Sequence, residues 1–214
     1  MNDKLTAIML KATDSGDYDK RLLLFSLEEG RLFATIKGVR RPNAKLKFCA
    51  QPFALCEYEI VEKNGGVVIT GATPIEDMYE IALDPEKYSA SAVCAEITEK
   101  AELSLDSKEL FVLLLKTLKT LLVSNAPTQL VICKYAQKIL SLSGFVKPVK
   151  VSVTMPTTPS ALLDYIAYKR VDELEGIEVE SGVMKKALRL ICNRFCSVYE
   201  TKLNSLQVYE KIIV

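Results

Sequence analysis

The sequence predicts an α+β protein in which a small five-stranded β-barrel is followed by an all-α helical domain. In the first eighty residues, short apolar runs are separated by turn signals, which is typical of an antiparallel barrel. After Pro74 the apolar residues repeat at helical spacing instead. Asp84-Pro85-Glu86 supplies a capping carboxylate and a proline for a first helical turn. We therefore expect a barrel domain over residues 1–80 and a helical domain over residues 81–214.

The five predicted strands are rich in Leu, Ile, Val and Phe. They are Lys4–Lys11, Arg21–Leu27, Leu32–Lys37, Phe53–Glu62 and Val67–Thr70. Glu28-Glu29-Gly30 and Asn64-Gly65 are turn sequences that join the second strand to the third and the fourth to the fifth. In the fourth run, apolar and acidic residues alternate from Cys56 to Ile60, as in a strand with one buried face. Five short strands joined by hairpins favour an OB-fold.

Five helices are predicted in the second domain. They run from Asp84 to about Leu103, from Ser107 to Leu122, from Pro127 to Gly144, from Ser160 to Arg170 and from Val183 to Leu203. An extended connector is expected at about 146–159, which is rich in proline, valine and threonine. The most apolar stretch, Leu110 to Val123, is shorter than the ~20 residues that cross a bilayer and contains two lysines, so we expect a buried helix.

The composition disfavours several classes of enzyme. The chain has no histidine, which excludes Ser-His-Asp triads, Cys-His dyads and histidine-ligated metal sites. The six cysteines are scattered and form no CxxC pair, and the first residues lack the pattern of a secretory signal. Carboxylate pairs or a lysine nucleophile could still do chemistry, so an enzyme is disfavoured and not excluded. We expect a cytoplasmic protein with reduced thiols, and we assign no catalytic, metal-binding or cofactor-binding residue. The net charge is only +1, so any strong positive field must be local.

Such a local field is predicted between Arg31 and Gln51, a segment that contains no Asp or Glu. Its cations, the candidate nucleic-acid-binding residues, are Arg31, Lys37, Arg40, Arg41, Lys45 and Lys47. Cations of this kind neutralise phosphates and release counterions, which drives sequence-independent binding. Phe33 and Phe48 offer faces on which bases could stack. The alternatives are a solvated loop that keeps the protein soluble and a contact for an acidic partner.

Three weaker patterns have ordinary structural explanations. Gly66 and Gly71 have the spacing of a P-loop, but the required lysine is missing, so we assign both glycines to strand ends. Cys192 and Cys196 lie four residues apart on a predicted helix, where core thiols are favoured over half of a zinc site. The acidic segment Asp14–Asp19 could hold a metal for a nuclease, although a routine turn is favoured.

Several motifs in the first domain resemble the RecO family of bacterial DNA repair proteins. They include Gly16-Asp17-Tyr18-Asp19-Lys20, Lys37-Gly38-Val39-Arg40-Arg41-Pro42 and Gln51-Pro52-Phe53, in that order. The second domain is similar mainly in its helical layout and in Leu142-Ser143-Gly144-Phe145 at a helix end. Many members carry a four-cysteine zinc module after that helix, whereas residues 146–159 contain no cysteine.

This resemblance implies an N-terminal OB-fold, a helical C-terminal domain and a recombination mediator that catalyses no reaction. It implies binding to single- and double-stranded DNA, annealing of complementary strands, and work with RecR in loading RecA onto DNA coated by single-strand DNA-binding protein (SSB). The basic segment, with Lys37, Arg40 and Arg41 at its centre, is where the DNA contact is expected. The alternative is a protein-interaction module in which the helical domain carries the function and the barrel is a scaffold.

Overall fold

A computed structural model describes residues 3–63, 65–101, 107–147, 149 and 156–213 of the chain. These residues form two compact units: residues 3–83 with 107–111, and residues 84–101 with 112–213. The first unit is built on a β-barrel and the second is helical. Asn64 of the predicted hairpin, Leu103 at the predicted end of the first helix and most of the connector at 146–159 lie outside the described residues.

Five strands close the barrel in the order β1-β2-β3-β5-β4. They are β1 (Asp3–Ser15), β2 (Asp19–Ser26), β3 (Gly30–Ile36), β4 (Leu55–Lys63) and β5 (Gly66–Glu76). All neighbouring strands are antiparallel except β3 and β5, which are parallel. A three-stranded meander closed by two further strands in this order is the OB-fold arrangement, so the predicted fold of the first domain is confirmed.

Two strands are longer than their apolar runs because pairing continues where the side chains become polar. The second half of β1 pairs with β2 as far as Ser15, four residues beyond the predicted end at Lys11. Its first half pairs with β4, and a register shift between Met9 and Lys11 separates the two halves. Likewise β5 continues to Glu76 because it stays paired with β4. Backbone hydrogen bonds extend these strands without any further apolar signal.

The barrel interior is filled by alternate residues of all five strands. Tyr58 of β4 is among the largest side chains there, and it is fully buried. Three residues from the connection between β3 and β4 also enter this core: Val39, Cys49 and Ala50. Both ends of that connection are therefore fixed to the barrel, and the residues between them lie outside it.

The helices are α1 (Pro85–Lys100), α2 (Ser107–Val123), α3 (Thr128–Leu142), α4 (Pro159–Ala167), α5 (Ser181–Val198) and α6 (Asn204–Ile212). Short 3-10 helices cover Phe48–Ala50, Tyr79–Leu83 and Val171–Glu173. Five of the six α-helices found among the described residues were predicted, and the all-α second domain is confirmed. The predicted cap is correct as well, since the Asp84 carboxylate accepts the backbone N–H groups of Glu86 and Lys87.

The helix α6 was missed because its cap comes from a distant part of the chain. The predicted fifth helix runs to Leu203, whereas α5 ends at Val198 and Glu200 has a left-handed φ of 48°. The Glu96 carboxylate of α1 then accepts the backbone N–H groups of Asn204 and Ser205, at 3.1 and 2.8 Å. No neighbouring side chain caps this helix, and the start signal that Asn204 and Ser205 offer before Leu206 was overlooked.

The apolar stretch Leu110 to Val123 lies within α2. Its residues Leu114, Leu118 and Leu121 are buried, which accounts for its hydrophobicity. Within the described ranges, no helix is long and apolar enough to cross a membrane.

Candidate nucleic-acid interface

The segment that we call the basic loop comprises residues 37–47, between β3 and the 3-10 helix Phe48–Ala50. Near its start, Val39 is inserted into the barrel core and is only 4% exposed. Immediately after its end, Cys49 and Ala50 are buried in the same core. Because both ends are fixed, the residues between them are presented on a defined part of the barrel surface.

The first end is held by the hairpin between β1 and β2. The backbone N–H of Gly38 donates to a carboxylate oxygen of Asp19 at 2.7 Å. The backbone N–H of Arg40 donates to the carbonyl of Tyr18 at 2.9 Å. Gly38 has a φ of +65°, a left-handed conformation that glycine adopts without a steric penalty. The basic loop is therefore docked against the β1–β2 loop, one of the loops that bind oligonucleotides in OB-folds.

The second end is held from inside the barrel by a tyrosine. The Tyr58 hydroxyl donates to the Cys49 carbonyl at 2.8 Å, and both residues are fully buried. Burial raises the pKa of Tyr58 far above its ordinary value, so its hydroxyl keeps its proton. Burial likewise raises the pKa of the Cys49 thiol to about 12. This end is a neutral hydrogen-bonded contact rather than a charged one.

Within the basic loop, the backbone turns repeatedly on itself. The Arg41 N–H donates to the Gly38 carbonyl and the Ala44 N–H donates to the Arg41 carbonyl, each at 3.1 Å. The Lys47 ammonium donates to the Pro42 carbonyl at 2.6 Å, which closes the loop. These contacts satisfy the loop's own backbone and leave most of its long side chains facing solvent.

The structure brings five of the six predicted cations together. Those five are exposed members of the basic loop: Lys37, Arg40, Arg41, Lys45 and Lys47. Arg31 is separate, because it lies on β3 opposite Phe25 and is half-buried. Whether any of the six contacts nucleic acid stays a prediction.

Although the basic segment has no acid in its sequence, the carboxylates of Asp14 and Asp19 lie beside it in space. An Arg40 guanidinium nitrogen lies 3.2 Å from a carboxylate oxygen of Asp14, and another lies 3.4 Å from the Gly16 carbonyl. Both side chains of the ion pair are substantially exposed, so its net contribution is at most about 1 kcal/mol. A phosphate could replace the carboxylate at little cost. Arg40 is therefore a partly compensated cation, which its sequence neighbours did not indicate.

The acidic loop has a structural role beside the basic one. Asp14 pairs with Arg40 and Asp19 accepts the Gly38 N–H. Among the described residues, no group of three or more Asp, Glu, Cys or His side chains is placed to hold a metal ion. The turn interpretation of this segment thus has contacts that support it.

Two exposed aromatic rings of the barrel unit each lie beneath a guanidinium, and one of these guanidinium groups belongs to the basic loop. The Arg41 guanidinium lies over the Tyr18 ring, 5.1 Å from its centre, and Tyr18 is 50% exposed. The Arg21 guanidinium lies over the Phe33 ring at 4.4 Å, and Phe33 is 53% exposed. Exposed rings of this kind are stacking faces for unpaired bases, and an adjacent guanidinium adds positive charge.

Tyr18 and Arg21 were not among the predicted site residues, although the pattern held a signal for Arg21. Residues Leu22 and Leu24 point into the barrel, so Arg21 faces outward. Register pairs Leu23 with Phe33, which places Arg21 and Phe33 on neighbouring strands of one face. Phe48, the other predicted stacking residue, is 37% exposed and lines a cavity of about 490 Å³ with Pro52 and other residues near the end of β5.

The Gln51-Pro52-Phe53 motif is structural. Phe53 has a left-handed φ of 62° and a buried ring, and its N–H donates to the Met9 carbonyl at 3.1 Å. The Met9 N–H in turn donates to the Ala54 carbonyl at 3.0 Å. These bonds join the turn to β1 where its register shifts, so the motif positions the strand that follows the basic loop.

The structure also accounts for the two glycines and the two cysteines that the sequence analysis singled out. Gly66 begins β5, as predicted, but Gly71 lies inside that strand opposite Glu59, so assigning it to a strand end was wrong. A Cβ at Gly71 would lie 2.6 Å from a Glu59 carboxylate oxygen, so a larger residue there would require the Glu59 side chain to move. Cys192 is buried and Cys196 is half-buried, and burial raises the pKa of both thiols. Low reactivity of this kind is typical of core thiols.

A known protein family matches the part of the chain that forms the barrel. The family model described as "Recombination protein O N terminal" matches residues 1–78. The barrel is therefore similar to the N-terminal domain of RecO proteins. The resemblance to RecO that the sequence motifs predict is therefore confirmed.

Curated relatives extend the similarity beyond the barrel. The DNA repair protein RecO of Heliobacterium modesticaldum is 29% identical over 139 residues, which cover 65% of this chain and 50% of the relative. That of Desulfitobacterium hafniense is 30% identical over 140 residues, 65% of this chain and 50% of the relative. That of a Thermoanaerobacter species is 31% identical over 143 residues, 66% and 58%. The chain thus spans about half the length of the curated relatives it matches.

Proposed function

We propose that this chain is a non-enzymatic DNA-binding mediator of recombination and repair, and that the basic loop holds the phosphate backbone. One observation carries the proposal: five exposed cations are collected on a loop fixed at both ends to an OB-fold of the RecO type. A loop held in this way loses little conformational entropy when it binds, so its charges act as a preorganised group.

The phosphate contacts are proposed for Lys37, Arg41 and Lys45, because these side chains are exposed and no acid lies near them in the sequence. Arg40 joins them by exchanging Asp14 for a phosphate, and Lys47 supports the loop through Pro42. Such contacts read charge rather than base sequence, as a mediator acting on any damaged site requires.

The aromatic residues Tyr18 and Phe33 are proposed to favour single strands. Their exposed faces are available to unpaired bases, whereas bases in a duplex are already stacked on one another. Duplex DNA would then be bound mainly through its phosphates. Binding to both forms is what annealing of complementary strands requires.

The wider pathway is proposed from the RecO relatives. In this proposal the chain works with RecR and SSB to help load RecA onto coated single strands, in the cytoplasm and without catalysing a reaction. The DNA contact assigned above does not depend on which surfaces meet those partners.

The test is the salt dependence of binding to a single-stranded oligonucleotide. On single strands, the slope of log affinity against log salt is about −0.7 per phosphate neutralised. Replacing Arg40 and Arg41 with alanine should therefore flatten the slope by about 1.4. The matched control is Arg189→Ala with Arg194→Ala on α5, because Arg189 also pairs with a carboxylate, that of Glu210, and Arg194 also donates to a carbonyl, that of Phe145.

The control should keep the parental slope. If the variant without Arg40 and Arg41 binds like the parent at every salt concentration, the basic loop is not the phosphate site. If both variants lose the same slope, the effect is one of overall charge and the proposed site is wrong.

A further inference from the structure

A second group of cations surrounds a cavity in the helical unit. The cavity measures about 660 Å³ and is lined by α2, α3, the end of α4 and the 3-10 helix Val171–Glu173. Its cations are Lys116, Lys119, Lys134, Lys138, Lys169 and Arg170, against the two carboxylates of Asp172 and Glu175. Charge this one-sided around a concave surface attracts anions.

Both carboxylates of the lining already have partners. The Arg170 guanidinium donates to Asp172 at 3.0 Å, so these two charges largely cancel. The Glu175 carboxylate accepts a hydrogen bond from the Ser124 hydroxyl at 2.7 Å. With six cations against two carboxylates, the lining carries an excess of positive charge.

Two lysines of α3 repel one another. Lys134 is only 7% exposed, and its ammonium donates to the Ala167 carbonyl at 2.6 Å. Burial, followed by the nearby charge of Lys138, lowers the pKa of Lys134 to about 8. Lys116 and Lys119 are three residues apart on α2, which places them on one face of that helix. A bound anion would relieve this repulsion.

Apolar side chains also line the cavity. Leu113 and Val171 line it, together with Val123, which is 78% exposed. An inorganic anion would leave these apolar side chains exposed to water. A nucleic acid strand, in contrast, supplies apolar base faces together with phosphates. The cavity lies within the range of about 300–1,000 Å³ that is usual for ligand sites, which suits a short unpaired segment rather than a duplex.

We propose that this cavity is a second binding site for single-stranded nucleic acid, with phosphates on Lys116 and Lys119 of α2 and bases against the apolar side chains of the lining. The inference rests on the proposed function and extends it, because a protein that anneals strands needs contacts for more than one of them. The basic loop and the cavity lie in different units of the chain and contribute their phosphate contacts separately.

The experiment uses the full chain and the variant with Lys116→Gln and Lys119→Gln. Polythymidine is the probe, because it has no secondary structure. Removing two phosphate contacts should reduce the log–log salt slope by about 1.4. The matched control, Lys185→Gln with Lys186→Gln on α5, removes two exposed lysines that do not line the cavity and should keep the parental slope. Unchanged helical circular dichroism and melting confirm that both variants fold.

The outcomes separate the two sites. An unchanged slope in the cavity variant overturns the second site even if replacing Arg40 and Arg41 flattens the slope. The reverse result, loss only in the cavity variant, keeps the second site and overturns the basic loop. A peptide rich in Asp and Phe serves as a competing ligand. If it binds through Lys116 and Lys119 while the polythymidine slope stays the same, the cavity takes an acidic protein segment and the proposal is wrong.

Discussion

Replacing Tyr58 with phenylalanine should release one end of the basic loop without changing any charge. The substitution removes only the hydroxyl that donates to the Cys49 carbonyl at 2.8 Å. Both residues are fully buried, so water does not replace the lost donor. A buried acceptor that loses its partner costs about 1–3 kcal/mol. With a urea dependence of about 2 kcal/mol per molar, the unfolding midpoint of the barrel should fall by about 0.5–1.5 M.

Hydrogen exchange measured by mass spectrometry locates this effect. Amides of the 3-10 helix Phe48–Ala50 and of the turn that follows should exchange faster in the Tyr58→Phe variant. The matched control is Tyr135→Phe in the helical unit, whose buried hydroxyl is hydrogen-bonded to Thr98 at 2.5 Å. That control should lose stability without faster exchange in the barrel.

The same variant should weaken DNA binding while keeping its salt slope. The cations are unchanged, so the number of phosphates neutralised is unchanged, but the loosened loop must be ordered again on binding. Unaltered exchange around Cys49 would refute the role of Tyr58 in holding the loop. A flatter slope would refute the claim that the two effects are separable.

Three further substitutions test single contacts of the proposed site. Asp14→Ala should free Arg40 and raise the affinity for single strands by up to about fivefold, which corresponds to about 1 kcal/mol for a surface pair, with Asp17→Ala as the control in fluorescence anisotropy titrations. Phe33→Ala should cost about 1–3 kcal/mol with single strands and less with duplex, and equal losses would argue against stacking. Gly38→Ala should lower barrel stability by about 1–2 kcal/mol because of its positive φ, and an unchanged melting curve would contradict this.

The fold was largely predictable because its signals are local. Alternation in β4 and the cap at Asp84 involve residues close together in the sequence, and both were found as predicted. The helix α6 was missed because Glu96, more than a hundred residues earlier, supplies its cap. The full lengths of β1 and β5 were missed because pairing between strands, not side-chain hydrophobicity, sets their ends.

The cations of the candidate site were predictable from the sequence, whereas the contacts that other loops make to them were not. A run of cations without acids is visible in the sequence, and the structure places five of them on one loop. The ion pair between Arg40 and Asp14 depends on the docking of two loops, which residue order does not reveal. The same holds for the Arg41 guanidinium over Tyr18. Of the site residues that the sequence analysis missed, only Arg21 could have been found. Strand alternation and register place it on the outer face of the barrel, near Phe33.

The most direct test of the central claim is lysine footprinting of the full chain. Acetylation is measured by mass spectrometry with and without a single-stranded oligonucleotide, at low and at high salt. We expect the oligonucleotide to protect Lys37 and Lys45 at low salt, and the protection to disappear at high salt as phosphate contacts are lost. Lys185 and Lys186, exposed on α5, should react equally under all conditions. Full reactivity of Lys37 and Lys45 in the bound state would contradict the proposal that the basic loop holds DNA.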